Sequence, residues 1–406
     1  MDLEIRVRSL KISIGNEYAS VKQSSASRNQ HSSLKIPFVD LKLQHQPIQA
    51  QIEEAISTVV QRGDFILGKA LADFEESFAA ASGVKYGIGV SSGTDAIALG
   101  LQACGIGAGD EVIVPANTFI ATLIGVIKTG ATPVLVDCDL DTALIDLRTL
   151  NKAITTKTKA VVPVHLYGQM VAPPQLLELA QNYNLLIFED AAQAHLAKRD
   201  GYCAGSVGRA AALSFYPSKN LGAFGNGGIV LTSDSKVAEK VRALRNYGAP
   251  RKYFHTDIGT NSRLDTVQAA VLNVKLPHLA EWNQSRNLAA RHYDALLTPL
   301  KSQGLIPIHN QSEDGHVYHL YVIRVSADCP LKRQTIQEEL AARGIQTGIH
   351  YPIPCHLQPA YQYLGYKAGD FPNSETLCQE ILSLPMYPGL SNHQINYVVN
   401  SLRSLF

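Results

Sequence analysis

Ser214-Phe215-Tyr216-Pro217-Ser218-Lys219-Asn220-Leu221-Gly222 sets a lysine in a turn of small residues directly after a short apolar run at 211–215. Upstream, Leu185-Leu186-Ile187-Phe188 is another unbroken apolar run, closing on Glu189-Asp190-Ala191-Ala192-Gln193. Short continuous apolar runs between helical patterns are the pattern of strands buried on both faces, as in a mostly parallel sheet. The alternation repeats outward in both directions. Strands are expected at 86–90, 111–115, 132–137, 159–165 and 228–232, and helices at 94–104, 119–129, 175–183 and 235–246. This is the order of an α/β domain.

Past a polar loop at 247–261 the pattern changes: helices at 264–276 and 285–297, a strand at 317–325, a helix at 333–343, and two late helices near Thr376 and Gln394. The chain therefore divides into an extension at 1–34, a large domain at 35–282 and a smaller α+β domain at 283–406. In the extension Leu3, Ile5 and Val7 alternate with charged residues as in an edge strand, and a polar, flexible stretch at 23–30 follows.

With 406 residues and 46% hydrophobic content the chain can bury a large core. The net charge of +1 gives no field for nucleic acid or an acidic membrane to exploit, so neither is expected as a partner. Six scattered cysteines without a C-x-x-C pair, and no secretory apolar segment, indicate reduced thiols in a cytoplasmic protein. His350 and His356 lack a third ligand at zinc spacing, and no metal is expected.

Lys219 and Asp190 together suggest one chemistry. A lysine that forms a Schiff base and an aspartate that pairs with a pyridinium nitrogen are what pyridoxal 5′-phosphate requires of a protein. Asp190 ends a strand at the carboxyl edge, where α/β sheets place ligands. Ser91-Ser92-Gly93-Thr94-Asp95 opens a helix and offers free N–H groups to a phosphate, and Ser214 could add a hydroxyl. Phe119 could cover a ring and Gln193 could reach its phenolic oxygen. Taken singly, each has a plain structural use: a surface lysine, a helix cap at Asp190 or Thr94, a strand serine, a core phenylalanine, an exposed glutamine.

Jointly, from about Ile36 to Phe406, these segments and Gly259-Thr260-Asn261-Ser262-Arg263-Leu264-Asp265 resemble the DegT/DnrJ/EryC1/StrS family of sugar aminotransferases. The resemblance implies the fold type I, aspartate aminotransferase-like architecture with pyridoxal 5′-phosphate as cofactor. It implies that Lys219 binds the cofactor and shuttles the proton, that Asp190 pairs with the ring nitrogen, and that Gly93, Thr94 and Ser214 hold the phosphate. Phe119 would stack on the ring, Gln193 would reach its phenolic oxygen, and Asn261 would contact the phosphate of a neighbouring subunit's cofactor, making a homodimer with shared sites.

The stretch from Gly348-Ile349-His350-Tyr351 to His356 is similar to that of members acting at C3 of nucleotide-linked keto sugars. His350, Tyr351, His356 and Arg263 are accordingly expected near substrate, with Arg245, Arg251 and Lys252 near the nucleotide diphosphate. The implied reaction moves an amino group from glutamate, leaving 2-oxoglutarate, to a dTDP-3-keto-6-deoxyhexose. Alternatives are transfer at C4, transfer to a 3-keto uronic acid sugar, and a cofactor-binding regulatory protein; a dehydratase of the family would carry histidine in place of Lys219. Leu196 and Asn226 depart from the common glycine and aspartate of the family pattern.

Overall fold

The structure, a computed structural model, describes residues 34–406, which form one compact unit. The extension expected at 1–34, with its edge strand, lies outside the described residues apart from Leu34. The strands in chain order are β1 (Tyr86–Val90), β2 (Glu111–Pro115), β3 (Thr132–Val136), β4 (Thr158–Val161), β5 (Leu186–Asp190), β6 (Lys198–Arg199), β7 (Tyr202–Cys203), β8 (Ala210–Ser214) and β9 (Gly228–Thr232). Three more follow: β10 (Leu305–Pro307), β11 (Tyr321–Val325) and β12 (Ile381–Leu384).

Seven of these make one sheet in the order β1-β9-β8-β5-β4-β2-β3. All neighbours are parallel except β9, which runs antiparallel to β1 and β8. The sheet is therefore mixed but mostly parallel, as the apolar runs predict. Its two faces feed two cores. Val112, Val114, Phe188 and Val230 face one cluster, while Ile113, Ile187, Ile229 and Leu231 face the other. The helix Gly93–Ala103 packs so close that a Cβ on Gly100 would stand 2.5 Å from the Phe188 ring. Only glycine fits there.

The two acids at the end of β5 obey the same two-residue alternation. Glu189 points with Ile187 and is fully buried. Its carboxylate accepts from the backbone N–H groups of Gly205, Val207 and Gly208 at 2.8–2.9 Å and meets His165 Nε2 at 2.9 Å. It thereby fastens the loop between β7 and β8 to the strand beside it. Asp190, on the opposite side, is left for the cavity.

The smaller sheet, β10-β11-β12, is antiparallel and shares a core with the helices Leu279–Leu297, Arg333–Ala342 and Asn392–Arg403. The long helix begins earlier than expected and runs through the expected boundary at 282/283. Strand β11 is shorter than expected, because residues 317–320 break from the ladder and Val317 N–H donates to Gly168 O. Likewise β4 stops at Val161, and only an isolated bridge from Val164 to Asp190 continues the expected strand. All six cysteines are free thiols, and no helix among the described residues is long and apolar enough to cross a membrane.

Glu189→Ala would leave three backbone donors without a partner in the interior. We expect a loss of about 3 kcal/mol or more. Equilibrium urea unfolding measures it; a change under about 0.5 kcal/mol, the range of an ordinary surface substitution, would contradict the anchoring role.

Candidate active site

At the carboxyl ends of β5 and β8 a cavity of about 460 Å³ opens, and Gly93, Thr94, Phe119, Asp190, Gln193, Ser214, Lys219, His350 and Tyr351 all line it. The chain brings these residues together from five separate segments. Lys219 is held by a turn in which its own N–H donates to Tyr216 O at 2.8 Å and Ala223 N–H returns to Phe215 O at 2.8 Å.

The helix Gly93–Ala103 aims its N-terminus at one end of the cavity. Ser92 caps it by accepting from Asp95 N–H at 3.1 Å, which leaves the first N–H groups unpaired within the helix. Asp95 would repel an anion here, but Lys128 at 2.6 Å and the hydroxyls of Ser91 and Ser262 hold its carboxylate. A Cβ on Gly93 would stand 2.7 Å from the Ser214 Cβ, so the glycine lets the start of the helix lie directly against the serine. Together these groups make a cradle of donors suited to a phosphate.

Burial disfavours charge on both key side chains. It lowers the Lys219 amine from 10.5 to about 8, against the attraction of Asp190. It also raises the Asp190 carboxyl, opposed by the Thr122 hydroxyl at 2.7 Å, the Ala192 N–H at 3.1 Å and the nearby Lys219. A buried carboxylate at a cavity wall gains most from a cationic partner. Gln193 has its orientation fixed: Oε1 accepts from Tyr167 N–H at 2.7 Å and Nε2 donates to Tyr351 Oη at 3.1 Å. Among the described residues the second N–H of that amide has no partner. Phe119 stays half exposed at the mouth, its ring 5.2 Å from that of Tyr351.

Several expected residues lie elsewhere. His356 does not reach the cavity; it is buried with Nε2 3.0 Å from Glu375 and its ring edge on Phe371. Arg245 is likewise committed, to Glu75 and to Gly89 O. Arg263 lies outside the cavity, donating to Asn246 and Asn261 and stacked on Tyr247, and Asn261 is exposed beside it. Arg251 and Lys252 are exposed, packed on Phe254 and Tyr253. Two residues of the site carry no local signal in the sequence: Thr122, behind Asp190, and His319, whose Nδ1 meets Asn220 Oδ1 at 3.2 Å. The only hint of His319 would have been its neighbourhood in a strand-like run, Tyr318-His319-Leu320-Tyr321.

A mixed sheet with a lysine turn, a carboxylate at a strand end and a donor cradle defines a cofactor-dependent transferase. Residues 46–403 match the model of the DegT/DnrJ/EryC1/StrS aminotransferase family, and the chain belongs to that family. It is similar to the pleiotropic regulatory protein of Geobacillus stearothermophilus, with 43% identity over 92% of this chain and 99% of that one. It is equally similar to the dTDP-3-amino-3,4,6-trideoxy-alpha-D-glucose transaminase of Streptomyces venezuelae, with 44% identity over 91% and 96%. The crystal structure of Streptomyces venezuelae DesV in complex with ketimine intermediate superposes with a TM-score of 0.87 at 43% identity, covering 91% of this chain and 98% of that one. Aminotransferases of this family work with pyridoxal 5′-phosphate, and the residues present fit it. The cradle suits its phosphate, Lys219 its aldehyde and Asp190 its ring nitrogen.

Because the fold favours the neutral amine, Lys219 of the cofactor-free protein should become nucleophilic through about pH 8. Mass-spectrometric labelling of Lys219 by pyridoxal phosphate and borohydride across pH reads this. A half-rise near that of exposed lysines, about 10.4, would mean that the amine is not desolvated.

Proposed function

We propose that the protein transfers the amino group of glutamate to C3 of a dTDP-3-keto-6-deoxyhexose, with Lys219 binding the cofactor and moving the proton in both half reactions. The observation that supports this most directly is the meeting of Lys219 and Asp190 in one cavity beside a phosphate cradle. When bound, the cofactor supplies an electron sink for the pair left behind as a substrate carbon loses its proton. Asp190 keeps the proton on the ring nitrogen through an ion pair that burial strengthens. Lys219, with a pKa of about 8, can both take a proton from a substrate carbon and return one near neutral pH. Gly93, Thr94 and Ser214 hold the phosphate, Phe119 covers the ring, and the free N–H of Gln193 reaches the phenolic oxygen. His350 and Tyr351 meet the sugar.

The active form in this reading is a homodimer in the cytoplasm. Phe65, Ile66, Tyr216, Phe224 and Ile258 are large apolar residues left 46–94% exposed, which a second subunit would cover in this reading. In this reading Asn261, exposed and outside its own cavity, serves the neighbouring subunit, and Arg251, Lys252 and Arg263 offer cations there for a nucleotide diphosphate. The free thiols suit a reducing compartment.

Spectra of the cofactor-loaded protein test the reading. The visible band of the lysine-linked cofactor should fall with glutamate and return with a dTDP-linked 3-keto sugar. Return only with a 4-keto sugar or a 3-keto uronic acid sugar would move the transfer to those substrates, and no change with glutamate would leave a cofactor-binding regulatory role. Lys219→Ala should lose the band and lower turnover by at least about a thousandfold, the scale of a positioned acid–base; normal turnover would end the assignment.

Shared sites make a separate prediction. Mixing inactive Lys219→Ala and Asn261→Ala proteins under conditions of subunit exchange should restore part of the activity. Exchange without any restoration would count against Asn261 acting across the interface.

A further inference from the structure

Thr122 sits in the first turn of the helix Ala121–Lys128, wholly buried, yet its hydroxyl serves neither that helix nor the core. Its backbone N–H donates to Phe119 O at 3.1 Å, and the Thr118 carbonyl, the usual target of a helical threonine, accepts from Cys355 Sγ at 3.3 Å. The Thr122 hydroxyl instead donates to Asp190 Oδ2 at 2.7 Å. An ionised carboxylate can only accept, so the single Thr122 proton is committed to Asp190. Thr118 Oγ1 lies 2.8 Å from Thr122 Oγ1, and with that proton committed Thr118 must be the donor of the pair.

Two hydroxyls thus stand in series, Thr118 donating to Thr122 and Thr122 to the carboxylate. The other oxygen, Oδ1, accepts from Ala192 N–H at 3.1 Å. We propose that Thr122, backed by Thr118, is a positioning residue for the electron sink: it fixes the rotation of the Asp190 carboxylate and keeps it ionised for a cationic ring nitrogen.

The proposal rests on the reading of Asp190 given above and extends it to a residue that no local motif marks. Burial pushes the Asp190 carboxyl up, and the groups acting against that are few. Lys219 and His165 attract the anion, while the Tyr351 phenol lies near it. Before the cofactor is bound, the Thr122 and Ala192 donors are therefore the direct hydrogen bonds that favour the charged form. A valine at 122 would keep the shape and remove only the donor. Asp190 would then lose its proton at higher pH than in the natural protein.

Equilibrium binding of pyridoxamine phosphate to the cofactor-free protein, followed across pH, tests this without relying on turnover. Thr122→Val should weaken binding roughly tenfold, the scale of one hydrogen bond to a charged group, and move the acid-side loss of binding to higher pH. Thr122→Ser, which restores the hydroxyl, should recover most of the affinity and the natural pH dependence. Should the valine variant fail to fold, Thr122→Ala gives the same comparison. Natural binding at every pH without the hydroxyl would overturn the proposal, as would a serine variant no better than valine. Asp190→Asn distinguishes the underlying reading: if it binds normally, the ion pair itself is wrong, whereas weak binding there with normal binding in Thr122→Val removes only the role of Thr122.

Discussion

The site depends on a constraint no larger than the pleat of one strand. Successive side chains of a strand point to opposite faces, so two adjacent acids at the end of β5 cannot do the same work. Glu189 turns inward and is used up by three backbone N–H groups and His165. Asp190 turns to the cavity. A one-residue slip of β5 would exchange them. The register of β5 against β8, with Phe188, Glu189 and Asp190 opposite Ala210, Ala211 and Ala212, fixes which carboxylate the cavity receives.

Around that carboxylate the chain arranges groups whose ordinary protonation the interior resists. Lys219 is drawn towards the neutral amine and Asp190 towards the neutral acid, and each partly restores the charge of the other. Charges are admitted only where donors are already in place. Asp95, close to the cradle, is the clearest case: Lys128 and two serine hydroxyls hold its carboxyl below the usual range despite its burial, so an acid near the cradle does little harm. The cavity can therefore carry a donor cradle at one end and an anionic wall at another without the two cancelling.

Much of this arrangement is written locally in the sequence. The buried strands declare themselves as short apolar runs, and Lys219, Asp190, Ser214 and Gly93 each sit just past or just before one of them. What the sequence leaves open is long-range. Arg245 looks as available for a phosphate as Arg251 does, until Glu75, from a helix far upstream, is found to hold it. His356 looks as near to substrate as His350, yet Glu375 holds the first while Ser383 turns the second to the cavity. Strands β10 and β12 are short and gain their identity from β11 between them, so their periodicity is too brief to read alone. Thr122 and His319 are chosen by partners 68 and 99 positions away, which no window of sequence contains.

The grip of Ser383 on His350 also has a bearing on how the protein is made. Residues Gly93 to Lys219 leave the ribosome well before β12 does, and β1 must wait for β9 before it has a neighbour. Strand β12 in turn supplies both the bridge from Ser383 to Gly348 and the hydrogen bond that fixes the His350 ring. A nascent chain thus carries its reactive amine and the acid opposite it before the wall that covers them can form. Only when nearly the whole polypeptide has emerged does the pocket acquire its last side.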